Sequence, residues 1–230
     1  MTWYAGQEGK TSFEIIAQDP ARLLRFQKLM GSVAHLNPFT GVYDFIKLAT
    51  PDEPERPVFV DVGGGHGHAI AAILSAHPEI KPDQCILQDR PEVVELARKQ
   101  GGLPERVHFM PHDFFATQPV KHARAYHLRA IAHDLSDVNL IKVLKQIVPA
   151  MAPDSKVLIA DNVIPEHGSK GMAGFMDMFM LCIGGKERTE ANFREMLGEA
   201  GLKLDAVYEA GGDRTFAVVE ASLKLACAPE

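Results

Sequence analysis

Asp61, the glycines at 63, 65 and 67, and Asp89 are the residues whose types and spacing point to binding chemistry. In Val58-Phe59-Val60-Asp61-Val62-Gly63-Gly64-Gly65-His66-Gly67, an apolar, β-branched run carries an acid near its end and passes into a turn nearly free of side chains. A helical apolar pattern follows at once through Ile70, Ala71, Ile73 and Leu74. Strand, glycine turn and helix make a cradle for a nucleotide-like group, because glycine lets the backbone approach closely and the helix start offers unpaired amides. A second apolar run, Ile86-Leu87-Gln88, ends in Asp89 about twenty residues after the last glycine, where a carboxylate can accept from both ribose hydroxyls. A third ends in His112-Asp113-Phe114-Phe115, an acid and an aromatic suited to an adenine amino group and ring face.

These residues need a sheet to hold them. The spacing predicts strands at 58–62, 85–88, 106–110, 124–128 and 156–160, alternating with helices at 67–77, 91–99 and 136–150. The third helix has Ser136 as its cap and one apolar stripe through Leu140, Ile141, Leu144, Ile147 and Val148. Alternation of this kind gives a mostly parallel sheet with helices on both faces. The last third changes character, with a Met/Phe-rich helix at 171–182, another at 189–200, and strands at 203–208 and 215–220. Those two strands join through Gly211-Gly212-Asp213, a hairpin signal that adds an antiparallel end to the sheet. Before residue 53, Pro20 to Met30 has helical spacing with Asp19 as cap, and Tyr43 to Leu48 reads as a short apolar helix. Pro51 to Pro57 reads as a linker, so the chain divides into an N-terminal helical segment, 1–52, and a binding domain, 53–230.

With 230 residues, 46% hydrophobic and 23% charged, the chain suits one large α/β domain with a small appendage. A net charge of −6 and no basic stripe argue against nucleic acid as the main partner. The apolar stretches are too short to span a bilayer, and the first fifteen residues lack the apolar core of a signal peptide. Three dispersed cysteines read as reduced thiols, and the expected compartment is the cytoplasm.

Asp89 fits NAD and S-adenosylmethionine alike. Two features favour the latter: the spacing Gly-x-Gly-x-Gly behind Asp61 in place of the dinucleotide Gly-x-Gly-x-x-Gly, and the His112-Asp113-Phe114-Phe115 tip of the third strand; a second nucleotide-binding half, which a dinucleotide needs, is not found after it. Other signals carry less. Gly9-Lys10-Thr11 imitates a phosphate loop, but Tyr4 stands at its first glycine. His66 with His68, and His108 with His112, lack a coherent third ligand, so no metal is expected.

At this point the residues resemble the S-adenosylmethionine-dependent O-methyltransferases of the plant caffeate/flavonoid and fungal secondary-metabolite type. Asp61 to Gly65 is similar to the first motif of that family, and Ile131-Ala132-His133-Asp134-Leu135-Ser136-Asp137 to its His-Asp-Trp-Ser-Asp block. Lys156 to Asp161 is similar to the strand after it, and Gly184-Gly185-Lys186-Glu187-Arg188-Thr189 to a fourth block. The resemblance runs from about Trp3 to the end and implies a Rossmann-like class I methyltransferase sheet. It implies that Asp61 and Gly63, Gly64 and Gly65 hold the methionine end of the cofactor. Asp89, with Arg90 beside it, would take the ribose. Asp113 and Phe114 would frame the adenine, and Arg129 stands where plant members have lysine. His133 matches the catalytic base, and Asp161 and Glu187 the two acids flanking it, although plant members carry glutamate at the position of Asp161. The resemblance also implies S-adenosyl-L-homocysteine as product and a small aromatic or polyketide-type acceptor.

Methyl transfer from a sulfonium asks a protein to align the acceptor oxygen and remove its proton. A neutral imidazole suits the second task. His133 precedes a helix start whose dipole disfavours imidazolium, so it is expected to rest neutral. Met176 and Met180 on the Met/Phe-rich helix, with Phe26 and Met30 from the N-terminal helix, are the expected acceptor-pocket residues, and Phe175 and Phe179 fall on another face. Relatives of this type carry a winged-helix dimerisation domain before the position of Trp3. The chain reads as the catalytic domain without it, which leaves the oligomeric state open. Leu135 also replaces a tryptophan near the acceptor. Two alternatives stand beside methyl transfer: a non-methylating enzyme on the same cofactor pocket, of pericyclase or decarboxylase type, and a partner subunit of a complete methyltransferase.

Overall fold

A computed structural model describes residues 15–16, 18–33, 40–50, 52–168, 172–211 and 215–224, without the side chains at 26, 27, 29–33, 172 and 183. Six helices and eight strands appear among them, the first being α1 at Pro20–Val33. Asp19 caps α1 as expected, Oδ1 accepting from the amides of Ala21 at 2.9 Å and Arg22 at 3.2 Å. The expected helix at 43–48 is a single 3₁₀ turn, Phe45–Leu48.

The sheet begins with β1 at Phe59–Val62, followed by α2 at His68–Ala76 and β2 at Cys85–Asp89. Next come α3 at Pro91–Gln100, β3 at His108–Pro111, β4 at Ala125–Arg129 and α4 at Asp137–Ile147. β5 at Lys156–Ile164, α5 at Met172–Ile183, the two-residue β6 at Arg188–Thr189 and α6 at Glu190–Glu199 complete the alternating part. β7 at Leu202–Glu209 and β8 at Phe216–Leu223 close the chain.

The strand order is β3-β2-β1-β4-β5-β8-β7, with β6 beside the far end of β5. Pairing is parallel from β3 to β5 and antiparallel through β8 and β7. The order reverses between β1 and β4, and the carboxyl ends of the strands flanking that switch are where a doubly wound sheet binds ligands. The central strands are buried on both faces, as a parallel sheet requires. Leu140, Val143, Leu144 and Ile147 of α4 pack with Phe193, Met196 and Leu197 of α6 over one face. Ile70 and Ile73 of α2 cover the other with Phe45.

Two differences from the expected elements concern the site. β5 runs four residues beyond Ala160, because residues 163–164 find a second partner in β6. β6 has too short an apolar pattern to announce itself in the sequence. The hairpin pairing of β7 with β8 is as expected, but its turn at 212–214 lies outside the described residues.

Candidate active site

The glycine turn is built on its neighbour strand. The amides of Gly63 and Gly64 both donate to the Gln88 carbonyl, at 2.8 and 3.0 Å. That of Gly65 donates to Asp89 Oδ2 at 2.9 Å, and Arg90 N–H takes Oδ1 at 2.7 Å. Asp89 is thus a half-buried carboxylate fixed at the tip of β2, and burial raises its pKa despite those two amides. The φ of Gly63 is +73° and that of Gly65 is +58°, a region L side chains avoid. A Cβ on Gly65 would meet nothing within 4 Å, so the turn presents open backbone there. The Phe114 ring edge would lie 3.7 Å from a Cβ at Gly63, which brings the tip of β3 to the same turn. Arg129 closes the neighbouring tip of β4, half-buried, and Arg90 pairs with Glu92 at 3.3 Å. Asp113 is exposed, its Oδ1 taken by the Phe115 amide at 2.9 Å.

Asp61 lies beneath the turn. It is fully buried, its Oδ1 lies 2.9 Å from Nδ1 of His127, and a Cβ at Gly64 would come within 2.4 Å of its Oδ2. The carboxylate therefore sits directly under the turn, with Oδ1 engaged by His127. His127, buried beside it on β4, gave no signal in the sequence, since a lone histidine within a strand reads as core.

His133 lies in a 3₁₀ turn, Ala132–Asp134, just before α4, whose start Ser136 caps through the Asn139 amide. The chain reaches this turn through Ala130, a non-glycine residue with φ +51° whose amide donates to the Ala160 carbonyl at 3.0 Å. Sparsely populated backbone of this kind collects at functional sites. Nδ1 of His133 is 3.1 Å from Asp161 Oδ1 and 3.4 Å from Glu187 Oε1. The three expected residues thus meet, and the shorter aspartate reaches the ring. Asn162 Nδ2 donates to Glu187 Oε1 at 3.0 Å, and the Glu187 amide donates to Asp177 Oδ1 at 2.9 Å. On the other side of the ring, Nε2 lies 3.8 Å from Asp134 Oδ1. Neither Asn162 nor Asp177 was expected here; each follows from a strand extension or helix position that pattern alone does not reveal.

The His133 ring stands between opposing influences. Burial favours the uncharged ring, but the charge of Asp161, the hydrogen bond to Glu187 and the charge of Asp134 outweigh it and push the pKa up to about 10. Two buried acids beside Nδ1 exceed what one short helix start contributes. The ring nitrogen and two carboxylate oxygens lie within 4.8 Å of one another, a spacing that would also admit a divalent cation.

On α5, Met180 is buried and Met176 half-buried, while Phe175 and Phe179 are 61% and 52% exposed, the split expected from the spacing. α5 packs against the turn that carries His133. The side chains of Phe26 and Met30, like the Gly9-Lys10-Thr11 signal, lie outside the described residues.

Residues 2–203 match the O-methyltransferase domain family, and the chain belongs to it. It is 38% identical over 209 residues to methyltransferase pvhD of Talaromyces variabilis, covering 89% of this chain and 58% of that protein. Among solved structures, LepI in complex with SAM superposes with a TM-score of 0.87 at 33% identity, covering 96% of this chain and 57% of that one. The mitomycin 7-O-methyltransferase MmcR superposes at 0.81 and 31% identity, over 96% and 62%. The chain therefore spans little more than half the length of these relatives. Its sheet is that of class I methyltransferases, and S-adenosylmethionine is the cofactor of the family. Among the described residues no helix is long and apolar enough to cross a membrane.

Proposed function

We propose that the chain is the catalytic part of an S-adenosylmethionine-dependent O-methyltransferase acting on a hydroxyl, phenolic by preference, of a secondary metabolite. The observation that carries this reading is the clamp on His133: Nδ1 held by Asp161 and Glu187, with Nε2 left as the nitrogen that can exchange a proton. The residues present fit the cofactor. Asp89 is a fixed acceptor pair for ribose hydroxyls, Gly65 offers open backbone, and Phe114 and Asp113 stand at the neighbouring strand tip. Asp61 serves the methionine end through the turn it supports. When bound, the cofactor supplies a methyl group on a sulfonium that leaves as a neutral thioether.

The resting imidazolium must give up one proton before it can act. A cationic ligand bound nearby would oppose the ring's charge and favour loss of that proton to solvent, leaving Nε2 free to accept. Nε2 then takes the acceptor hydroxyl proton, while Asp161 and Glu187 fix the tautomer and favour the imidazolium that forms. Alignment of the acceptor, to which α5 would contribute through Met176 and Met180, can supply roughly 7–11 kcal/mol in favourable cases.

A second reading has specific support, because relatives such as LepI are pericyclases. One experiment separates the two. His133→Ala should keep S-adenosylhomocysteine affinity nearly unchanged and lower turnover of a phenolic acceptor by at least about a hundredfold. Mass spectrometry should show an acceptor gaining one methyl as S-adenosylhomocysteine accumulates. Product of unchanged mass without S-adenosylhomocysteine would favour the pericyclase reading, and full turnover in His133→Ala would remove the base.

A further inference from the structure

Arg188 is among the largest fully buried side chains in the protein, 1% exposed, yet it touches neither acid of the His133 clamp through any described bond. Its guanidinium is spent on one short stretch of chain. Nη1 donates to the Ala132 carbonyl at 2.5 Å, and Nη2 to the Leu135 carbonyl at 2.6 Å. Nε and Nη2 both donate to Asp137 Oδ1, at 3.0 and 2.8 Å. The two carbonyls bracket the 3₁₀ turn at Ala132–Asp134, so the planar fork spans the turn that presents His133. Only arginine offers donors in this fixed arrangement.

The residues before it grip the same turn. A Cβ on Gly185 would stand 1.9 Å from the His133 carbonyl oxygen, so the backbone of 185 packs directly on it. The Lys186 amide donates to that carbonyl at 2.9 Å, and Lys186 Nζ reaches Asp137 Oδ2 at 2.6 Å. Glu187 supplies the second acid at Nδ1. Four successive residues therefore bind one turn, and the last of them also fixes β6 to β5.

We propose that Arg188 is the positioning residue of the site, holding the turn at 132–135 so that the His133 ring meets Asp161 and Glu187. The proposal rests on the reading of His133 as base, but it can be tested without turnover. A buried arginine with four oxygen partners, the Lys186 carbonyl among them, cannot be removed without leaving oxygens unpaired, so conservative changes are the useful ones. Arg188→Lys keeps the charge and loses the fork. Asp137→Ala keeps Arg188 and removes its carboxylate partner at a half-buried position. Lys186→Met controls for the other contact of Asp137.

The experiment follows the His133 imidazole by proton–carbon NMR across pH, its resonance assigned with His133→Gln. The groups facing this ring are Asp134, Asp161 and Glu187. In Arg188→Lys and Asp137→Ala the midpoint should fall by about one pH unit or more as the ring leaves its acids. S-adenosylhomocysteine affinity should stay within about threefold, and methyl transfer should fall by at least about tenfold. Lys186→Met should keep the wild-type midpoint. If Arg188→Lys does not fold, Asp137→Ala decides by the same criterion. A lowered melting temperature with an unchanged His133 midpoint in the folded variants overturns the proposal, because a merely structural arginine would behave that way. A shifted midpoint in a protein whose His133→Ala variant keeps full turnover would uphold the positioning role and reject the base.

Discussion

Asp161 binds His133 twice, its Oδ2 accepting the backbone amide at 3.0 Å and its Oδ1 facing ring Nδ1 at 3.1 Å. One carboxylate thus fixes both the main chain and the ring of the same residue, which a side chain this short can do only from a strand running directly beneath the turn. The prolongation of β5 past Ala160 puts it there.

Removing that charge while keeping the shape should uncouple the ring. Asp161→Asn retains an oxygen for the amide, so the fold and cofactor affinity should persist. The His133 midpoint should fall from about 10 toward its ordinary 6.5, and turnover should drop by about tenfold to a hundredfold. NMR titration and steady-state kinetics measure the two effects. An unchanged midpoint would mean that Glu187 alone sets the charge of the ring.

The same coupling makes stability depend on pH. The folded protein holds the His133 proton up to about 10 and the unfolded chain only to about 6.5, so protonation favours folding. This contribution is fully present below pH 6.5 and is lost as pH rises through the folded value. Asp134, pushed up to about 7 by burial, acts in the same direction but has finished above that pH. Cys85, raised by burial from an ordinary 9.0 to about 12, adds to the loss from about pH 9 upward. Melting temperatures of the cofactor-free protein should therefore decline between pH 7 and 10, and the decline should be shallower in His133→Asn. Parallel curves for the two proteins would contradict the charged resting ring.

Loading the site should expel a proton. Calorimetry of S-adenosylmethionine at pH 8, in buffers of different ionisation enthalpy, should detect proton release approaching one per site. Neutral S-adenosylhomocysteine should release fewer. Equal release by both ligands would place the cationic sulfur away from His133.

Two neighbouring glycines should fail differently. A methyl on Gly64 meets Asp61 Oδ2 at 2.4 Å and Leu87 Cδ1 at 2.5 Å, so Gly64→Ala should cost about 1–3 kcal/mol of stability and weaken cofactor binding as well. A methyl on Gly65 has room but needs φ +58°, a strain of about 1–2 kcal/mol, and it enters the open side of the turn. Gly65→Ala should therefore lose cofactor affinity, by at least about tenfold, out of proportion to its stability. Denaturant unfolding and calorimetry on both variants check this contrast.

The glycine turn, Asp89 and the strand–helix alternation are legible in the sequence because they depend on local patterns: β-branched runs, a turn needing positive φ, and an acid at a strand end. The three residues of the clamp are legible only as separate blocks. Their meeting depends on strand order, which brings positions 133, 161 and 187 together from three connections. The helix start beside His133 is visible in sequence, whereas the two acids arriving from elsewhere are not. The buried pairing of Asp61 with His127 is invisible in sequence for a related reason, since the two sit on different strands. Arg188 stands in a recognisable block, but nothing in one dimension tells a guanidinium that spans a turn from one at the surface.

The carbonyl of Gln88 receives two amides of the glycine turn, and its side chain is locked by reciprocal bonds to Gln118, at 2.8 and 2.9 Å. The cradle is therefore templated by β2. Mutagenesis libraries aimed at new acceptors can diversify the exposed positions of the Met/Phe-rich helix, such as Phe175, Met178 and Phe179, while sparing Asp177, which holds the Glu187 amide.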